Sequence, residues 1–306
     1  MDVLSDVIAV MRTGEPRSAR VERHAPWGRR FRYPPGTAGF EVVLAGSYWL
    51  IPPDRDPIPL GTGDVLFLPH GGEYGLTDTP TARFHDLPSS DARVPAGQDA
   101  AARPSAVVLC GAYQLDADRG HPLLAELPGI VHIPASVGRH SRLRAAVDLL
   151  GAELQAPGQG SAAVVPSLLD TLLVYVLRTW LEEQPTCGGT TGWAAALADP
   201  AVSTALDAIH GDPAQSWTVA ELAAHAGLSR AAFARRFNSL VGRPPLAYLT
   251  WWRLTEAARL LRDSDAPLNA VAERVGYTSE YAFANAFKRA FTIAPGQYRR
   301  KPAPHP

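Results

Sequence analysis

Hydrophobic positions change their spacing along the chain, and the change divides it. Up to about residue 134 they come as short runs of β-formers, GFEVVLAGSYWLI (39–51), GDVLFLP (63–69) and SAVVLCGAYQL (105–115), separated by Pro- and Gly-rich stretches such as RYPPGTAG and PPDRDPIPLGTG. Runs of that length between turn residues predict the strands of an all-β sandwich or barrel. From Ser141 to Glu183 the spacing becomes i, i+3, i+4, i+7, so SRLRAAVDLLGAELQ and PSLLDTLLVYVLRTWL predict two amphipathic helices broken by APGQG. Their stripes, Leu143, Val147 and Leu150 on one and Leu169, Leu172, Leu173 and Val176 on the other, need a core or a partner molecule to cover them. EEQPTCGGTTG (182–192) reads as a linker, and everything beyond it is helical in spacing with short loops.

Within that last part the same interruption occurs twice. In TVAELAAHAGLSRAAFARRF (218–237), Val219, Leu222, Ala223 and Ala226 make one helical stripe, which ends at Gly227. Leu228 plugs the core, Ser229 caps a second helix, and Phe233 and Phe237, four apart, give that helix its buried face. LNAVAERVGYTSEYAFANAF (268–287) repeats the grammar with Val271, Ala272 and Val275, then Gly276, Tyr277, the cap Ser279, and Phe283 and Phe287, with a turn one residue longer. Two helices joined by a tight glycine turn form a helix-turn-helix, the unit whose second helix enters the DNA major groove. PPLAYLTWWRLTEAARLL predicts a long helix between the two copies.

Charge agrees with this division. The formal net charge of the 306 residues is −1, but residues 197–306 hold 13 Lys and Arg against 9 Asp and Glu, leaving 16 against 21 in the first 196. The basic half is the half with the interrupted helices, as a polyanion partner requires. MDVLSDVIAVM carries acids where a secretory signal needs basic residues. The most apolar stretch contains Pro166, Asp170 and Arg178, so it predicts a packing helix rather than a membrane span. Two cysteines, Cys110 and Cys187, make no disulfide framework, in keeping with a reducing cytoplasm.

The stretch from about Trp217 to Arg300 resembles the DNA-binding domain of AraC/XylS-type transcription regulators through LAAHAGLSRAAFARRF, VGRPPLAYLTWWRLTEAARLL, VAERVGYTSEYAFANAFKRAF and the ending APGQYRR. Thr292 departs from it, standing where that family usually has glycine. GDVLFLPHGGEY fits the second cupin motif, Gly63, five residues, Pro69, one residue, Gly71, then two more, but ends in Tyr74 where a metal-binding histidine belongs. Glu41 stands at about the position of a histidine in the first motif. The first half thus resembles the cupin-type sensor domain that many such regulators carry. The expected fold is multidomain: an all-β cupin-like barrel (1–135), a two-helix dimerisation segment (136–183), a linker (184–197) and an all-α C-terminal domain with two helix-turn-helix units (198–301).

The resemblance implies double-stranded promoter or operator DNA as partner, homodimerisation through the two helices, contact with RNA polymerase, and a small-molecule or redox signal at the barrel. No cofactor and no membrane are implied. Arg230 and Arg235 are expected to face outward from the first recognition helix, with Arg235 placed to grip a guanine; Ser279, Glu280, Tyr281 and Asn285 are the matching residues of the second, and Asn285 suits adenine. Lys288, Arg289, Arg299 and Arg300 suit phosphates. Trp27, Tyr33, Glu41, Trp49, His70 and Tyr74 are the expected effector-pocket residues, and Cys110 is the redox candidate. The alternative, a metal-dependent cupin enzyme with a helical tail, needs a metal shell that Glu41 and Tyr74 do not supply.

Overall fold

The computed structural model describes residues 2–11, 14, 16–90, 103–115, 121–135, 139–184 and 191–300. In chain order the elements are α1 (Val3–Met11), β1 (Arg17–Arg23), β2 (Gly28–Tyr33), β3 (Thr37–Ile51), β4 (Ile58–Gly61), β5 (Val65–Leu68), β6 (Gly72–Thr77), β7 (Ala106–Gln114), α2 (Pro122–Ala125) and β8 (Val131–Ile133). Ten helices follow: α3 (Ser141–Gln155), α4 (Ser161–Glu183), α5 (Trp193–Ala198), α6 (Pro200–Gly211), α7 (Val219–His225), α8 (Arg230–Val241), α9 (Pro245–Asp263), α10 (Leu268–Arg274), α11 (Glu280–Phe291) and α12 (Pro295–Arg300).

Two units share these elements. Residues 12–120 and 127–183 form a β unit, and residues 1–11, 121–126 and 184–306 form a helical unit, so the chain passes between them four times. Of the boundaries expected at 135 and 183, one division falls at 183, and none falls at 135. The first eleven residues group with the C-terminal helices, and the 141–183 segment groups with the sheet.

The named strands of the β unit all pair antiparallel and are organised by β3. The strands run β1-β7-β3-β5-β8, with β2 paired to β6, and with β4 and β6 both paired to β3. The 15-residue β3 can serve so many partners because its register against β7 shifts between Val43 and Ala45. Its first half pairs with β5, from Gly39 to Val42, and its second with β4 and β6, from Ser47 to Ile51. A bulge bends a strand and sharpens its twist, which lets one long strand close a small sheet on itself. The inner face carries Val43, Tyr48, Leu50, Leu66 and Tyr74, all buried in one cluster.

Helices α3 and α4 cover this sheet, and that overturns one expectation. Leu143, Val147, Leu150, Leu169, Leu172, Leu173 and Val176, expected to meet a second copy of the chain, are all buried within this one. Tyr113 on β7 anchors the helix pair, its hydroxyl donating to the Leu169 carbonyl at 2.6 Å. An amphipathic stripe states that something must cover it, and here the sheet and the neighbouring helix do so. Of the large apolar side chains on α3 and α4, Leu149 (59% exposed) and Val164 (41%) remain at the surface. Helix α4 is long and apolar enough to cross a membrane by length and composition alone, but Leu169, Leu172, Leu173, Val176 and Leu177 are buried within this unit.

In the helical unit, side-chain caps mark the starts of α6, α7, α8 and α11. Thr218 and Glu221 form a reciprocal capping box on α7. Asp199 caps α6 through the Ala201 and Val202 amides, and Ser229 and Ser279 cap α8 and α11. Helix α1 packs against α6 and α9 with Val3, Leu4, Val7 and Val10 buried. The Arg262 guanidinium donates to the Val10 carbonyl at 3.3 Å, on the last turn of α1.

Candidate nucleic-acid interface and sensor pocket

Both predicted interruptions are helix-turn-helix units, α7–α8 and α10–α11. Gly227 has φ +65° and Gly276 φ +79°, the left-handed conformation that stops a helix and that glycine adopts without steric cost. The two glycines are held differently. A Cβ on Gly227 would meet nothing within 4 Å, whereas one on Gly276 would lie 2.7 Å from both the Ala214 carbonyl oxygen and the Arg253 guanidinium. Phe233, Phe237, Phe283 and Phe287 are fully buried, so the opposite faces of α8 and α11 must look outward.

Those outward faces hold the expected residues. Arg230 and Arg235 on α8, the cap Ser279, and Glu280, Tyr281, Asn285, Lys288 and Arg289 on α11 are all exposed, Tyr281 to 80%. The four basic side chains form no ion pair among the described residues. Two other arginines are engaged elsewhere. Arg236, one position after Arg235, pairs with Asp199 at the start of α6. Arg299, expected at a phosphate, instead donates to the Ala266 carbonyl and fastens α12 to the loop before α10; Arg300 is exposed.

Helix α9 connects the two units of this pair. It runs for 19 residues, roughly 28 Å at 1.5 Å per residue, and packs against α8, α10, α11 and α12. Arg253 at its middle donates to the carbonyls of Pro213 (2.6 Å) and Gln215 (2.8 Å), in the loop before α7, while lying against Gly276 of the second turn. One guanidinium thus contacts the entry to the first unit and the turn of the second. Thr292 adopts φ +58° at the end of α11, the left-handed conformation that Gly242 (φ +75°) adopts at the end of α8, despite its β-branched side chain.

A buried polar chain, which the sequence did not reveal, ties α1 and α2 to this assembly. The His121 Nδ1 accepts from the Leu123 amide at 3.1 Å, which leaves its Nε2–H to donate to the Tyr248 hydroxyl at 3.2 Å. Tyr248 in turn donates to His210 Nε2 at 2.7 Å, and His210 Nδ1–H donates to Asp6 at 3.2 Å. Burial, reinforced by His210 and Arg243, holds the His121 pKa well below the usual histidine value, so the ring is neutral as this pattern requires.

The expected sensor residues fall into two groups. Glu41 is buried and accepts from the Tyr48 hydroxyl (3.1 Å) and the Tyr74 hydroxyl (3.2 Å). Trp27, Phe31 and Tyr33 pack against this cluster, with Tyr33 and Phe31 stacked on Tyr74. Burial pushes the Glu41 carboxyl up to about 7, against the lowering effects of the Tyr48 hydrogen bond and the Arg23 charge. Trp49 and His70 are not brought to that group. Trp49, one residue on from Tyr48 along β3, packs with Ile51, Phe84 and Leu87. The His70 Nε2 lies 2.8 Å from the Leu127 carbonyl and ties a loop.

Glu41 and Tyr74, the positions where cupin motifs put histidines, thus bond to each other as a carboxyl–hydroxyl pair. Among the described residues no three His, Cys, Asp or Glu side chains are grouped to hold a metal ion. Desolvation, with the Glu41 charge, pushes the Cys110 thiol up to about 11, and its sulfur contacts the Ala19 carbonyl at 3.7 Å. A reactive cysteine needs its thiolate, so this environment opposes a redox role for Cys110. Cys187 lies outside the described residues.

Comparison with known proteins agrees with both halves. Residues 2–182 match a family described as Cupin, and residues 222–301 match one described as Helix-turn-helix domain. A putative AraC-like transcription regulator of Streptomyces antibioticus is 38% identical over 306 residues, covering 99% of this chain and 100% of the relative. The HTH-type transcriptional regulator MtrA of Neisseria gonorrhoeae is 31% identical over 272 residues, 85% of each chain. The C-terminal domain of AraT, a response regulator from Geobacillus stearothermophilus, is 33% identical over 33% of this chain and 84% of its own, with a TM-score of 0.32. Matched along its whole length in this way, the chain belongs to the AraC-type helix-turn-helix transcription regulators, with a cupin domain preceding the DNA-binding domain.

Proposed function

We propose that this regulator reads DNA with both helix-turn-helix units of one chain, α8 and α11 entering successive major-groove segments on the same side of the duplex. The observation that carries the reading is α9, a helix with no glycine and no proline after its first residue, packed against both recognition helices. Successive major-groove segments on one face of a duplex lie about one turn, near 34 Å, apart. Arg235 grips a guanine through O6 and N7, with Arg230 beside it, and Asn285 pairs with an adenine edge. Ser279, Glu280 and Tyr281 line the start of α11, and Lys288, Arg289 and Arg300 hold phosphates.

Selection of bound sequences from a random pool with the full chain defines the site. On that site Arg235→Ala is expected to cost about 1–3 kcal/mol and to relax one base position. An equal loss on every sequence would make Arg235 a phosphate contact instead. Inserting about five base pairs between the two half-sites turns one of them to the far side of the duplex. The stiff connector cannot follow, so most of the specific affinity should disappear; unchanged affinity would mean that only one unit reads DNA.

In the same reading the cupin domain is the sensor, receiving a small molecule near Trp27, Tyr33, Glu41 and Tyr74, and the protein works in the cytoplasm with RNA polymerase as a partner. A homodimer forms through the outer surface of α3 and α4, where Leu149 and Val164 stay exposed. Sedimentation of Leu149→Glu against the parent chain tests this, since a monomer in both or a dimer in both removes that surface from the account.

A further inference from the structure

Helix α3 starts without a side-chain cap. The residue before it, His140, holds the left-handed conformation (φ 55°, ψ 39°), and its ring pairs instead with Glu183 at 3.1 Å. The Arg144 amide is the first to find a helical carbonyl, that of His140 (3.0 Å), so the amides of Ser141, Arg142 and Leu143 have no partner within the helix. A helix start carries partial positive charge and favours an anion, which by itself is true of every helix.

Here the last turns of α4 add a buried donor. Together with the start of α3 they enclose a cleft of about 230 Å³, lined among others by Ser141, Arg142, Tyr175, Arg178, Thr179 and Glu182. Thr179 is only 5% exposed, yet its hydroxyl makes no hydrogen bond among the described residues. A helical threonine commonly donates to the carbonyl four residues back, as Thr171 does to Ser167 (2.8 Å) on the same helix. Nor is the Thr179 hydroxyl one of the unpaired polar atoms of this unit that are sealed from the surface, which belong to Ser18, Arg23, His24 and Trp27. The donor is therefore buried, unused and open to the cleft it lines.

Charge selects the class of acceptor. Arg142 and Arg178 form no ion pair among the described residues, and no nitrogen of either is sealed. The neighbouring acids are engaged, Glu183 by His140 and Asp148 by Arg144 at 3.1 Å. Of the lining residues Glu182 is the one acid, and it is exposed. Two guanidiniums, free helix amides and a hydroxyl suit a phosphate group, whose several oxygens accept from all of them at once. An adjoining cleft of about 550 Å³ shares His140, Ser141 and Leu143 and continues past Val65, Ile133 and Pro134, apolar surface for the rest of a molecule.

We propose that the start of α3 binds the phosphate group of a small phosphorylated molecule through Arg142, Arg178 and the Thr179 hydroxyl, with its organic part over the adjoining cleft. The site shares no residue with the Glu41 cluster or with the recognition helices, so it stands or falls independently of the DNA experiments.

Calorimetry on the full chain at fixed ionic strength in chloride tests it with phenyl phosphate, inorganic phosphate and benzoate. Phenyl phosphate is expected to bind saturably at millimolar or lower concentration, about threefold more tightly than inorganic phosphate and at least about tenfold more tightly than benzoate. Arg178→Gln should weaken phenyl phosphate at least about tenfold, while Arg32→Gln, on β2 and paired with Glu73, should leave it unchanged. Thr179→Val keeps the shape and removes a hydroxyl that has no partner, so it should melt no lower than the parent and still lose roughly three- to fivefold in affinity. No saturable heat with phenyl phosphate, equal binding of benzoate, or an affinity unchanged in both Arg178→Gln and Thr179→Val would overturn the proposal. Inorganic phosphate binding as tightly as phenyl phosphate would overturn the phosphorylated molecule in favour of the free ion.

Discussion

Each unit of this protein buries a polar cluster made from the same parts, carboxylate, tyrosine and basic side chains, and the two clusters end differently. In the helical unit the chain from Asp6 through His210 and Tyr248 to His121 terminates on a backbone amide, so the groups along it are paired. In the β unit the Glu41 carboxyl takes hydrogen bonds from two tyrosines, but the neighbouring Arg23, His24 and Trp27 keep buried polar atoms without a partner among the described residues. A closed network specifies one arrangement of the elements it joins, here α1, α2, α6 and α9. The helical cluster thus fixes where the N-terminal helix docks, whereas the β cluster holds its carboxyl between two tyrosines and leaves buried donors around it unpaired.

The largest effect is expected at Glu41. With its carboxyl at about 7 in the folded state and near 4.5 when free, the neutral form contributes stability that is fully present below about pH 4.5 and is lost as pH rises through 7. The gap corresponds to roughly 3 kcal/mol. Glu41→Gln, neutral at every pH, should therefore be more stable than the parent near pH 8 by up to about that amount and should melt with little pH dependence. A variant less stable than the parent at pH 8 would show the charged carboxylate to be supported by Arg23 after all.

His121 should show the opposite slope. Its folded pKa lies below its unfolded value, so the neutral ring costs stability as pH falls below about 6.5. Lowering pH from 7 toward 5.5 should then lower the melting transition of the helical unit while raising that of the β unit, read by tryptophan fluorescence and near-ultraviolet circular dichroism. Parallel shifts would break the contrast between the clusters. Tyr248→Phe, which strands the His121 Nε2–H and the His210 Nε2 without their shared partner, should cost about 2 kcal/mol at neutral pH. A neutral outcome would mean that the chain is not what holds α1.

The smallest effect is expected at Cys110, beside the open cluster. With its thiol pushed up to about 11, it should react with a disulfide reagent about a hundredfold more slowly than a free cysteine, and Cys110→Ala should leave DNA binding unchanged in the presence of an oxidant. Rapid labelling in the native state would restore the redox signal.

How much of this was legible in the chain follows from the distance over which each feature is decided. The two helix-turn-helix units are written within twenty residues each, because a left-handed glycine, a serine cap and two phenylalanines four apart act on their own neighbours. The cupin spacing is local in the same way, and it placed Glu41 and Tyr74 correctly enough that they meet. The stripes on α3 and α4 were equally plain, and they announced burial without naming what they bury against. Arg299 and Arg235 look alike in sequence; one donates to the Ala266 carbonyl and the other stands free only because of where α12 and α8 are packed.

By itself, then, the sequence determined the family, the order of its domains and which helix faces are apolar, since these depend on periodicity and on turn residues. Only the tertiary structure decided that α1 belongs with helices two hundred positions away, that His121 and Tyr248 meet across 127 residues, and that the Tyr113 hydroxyl reaches the Leu169 carbonyl across 56. Hydrogen bonds and cavities of that kind carry no local period. They exist when distant segments close around the same point, and the free energy that selects them belongs to the packed whole rather than to any stretch of chain.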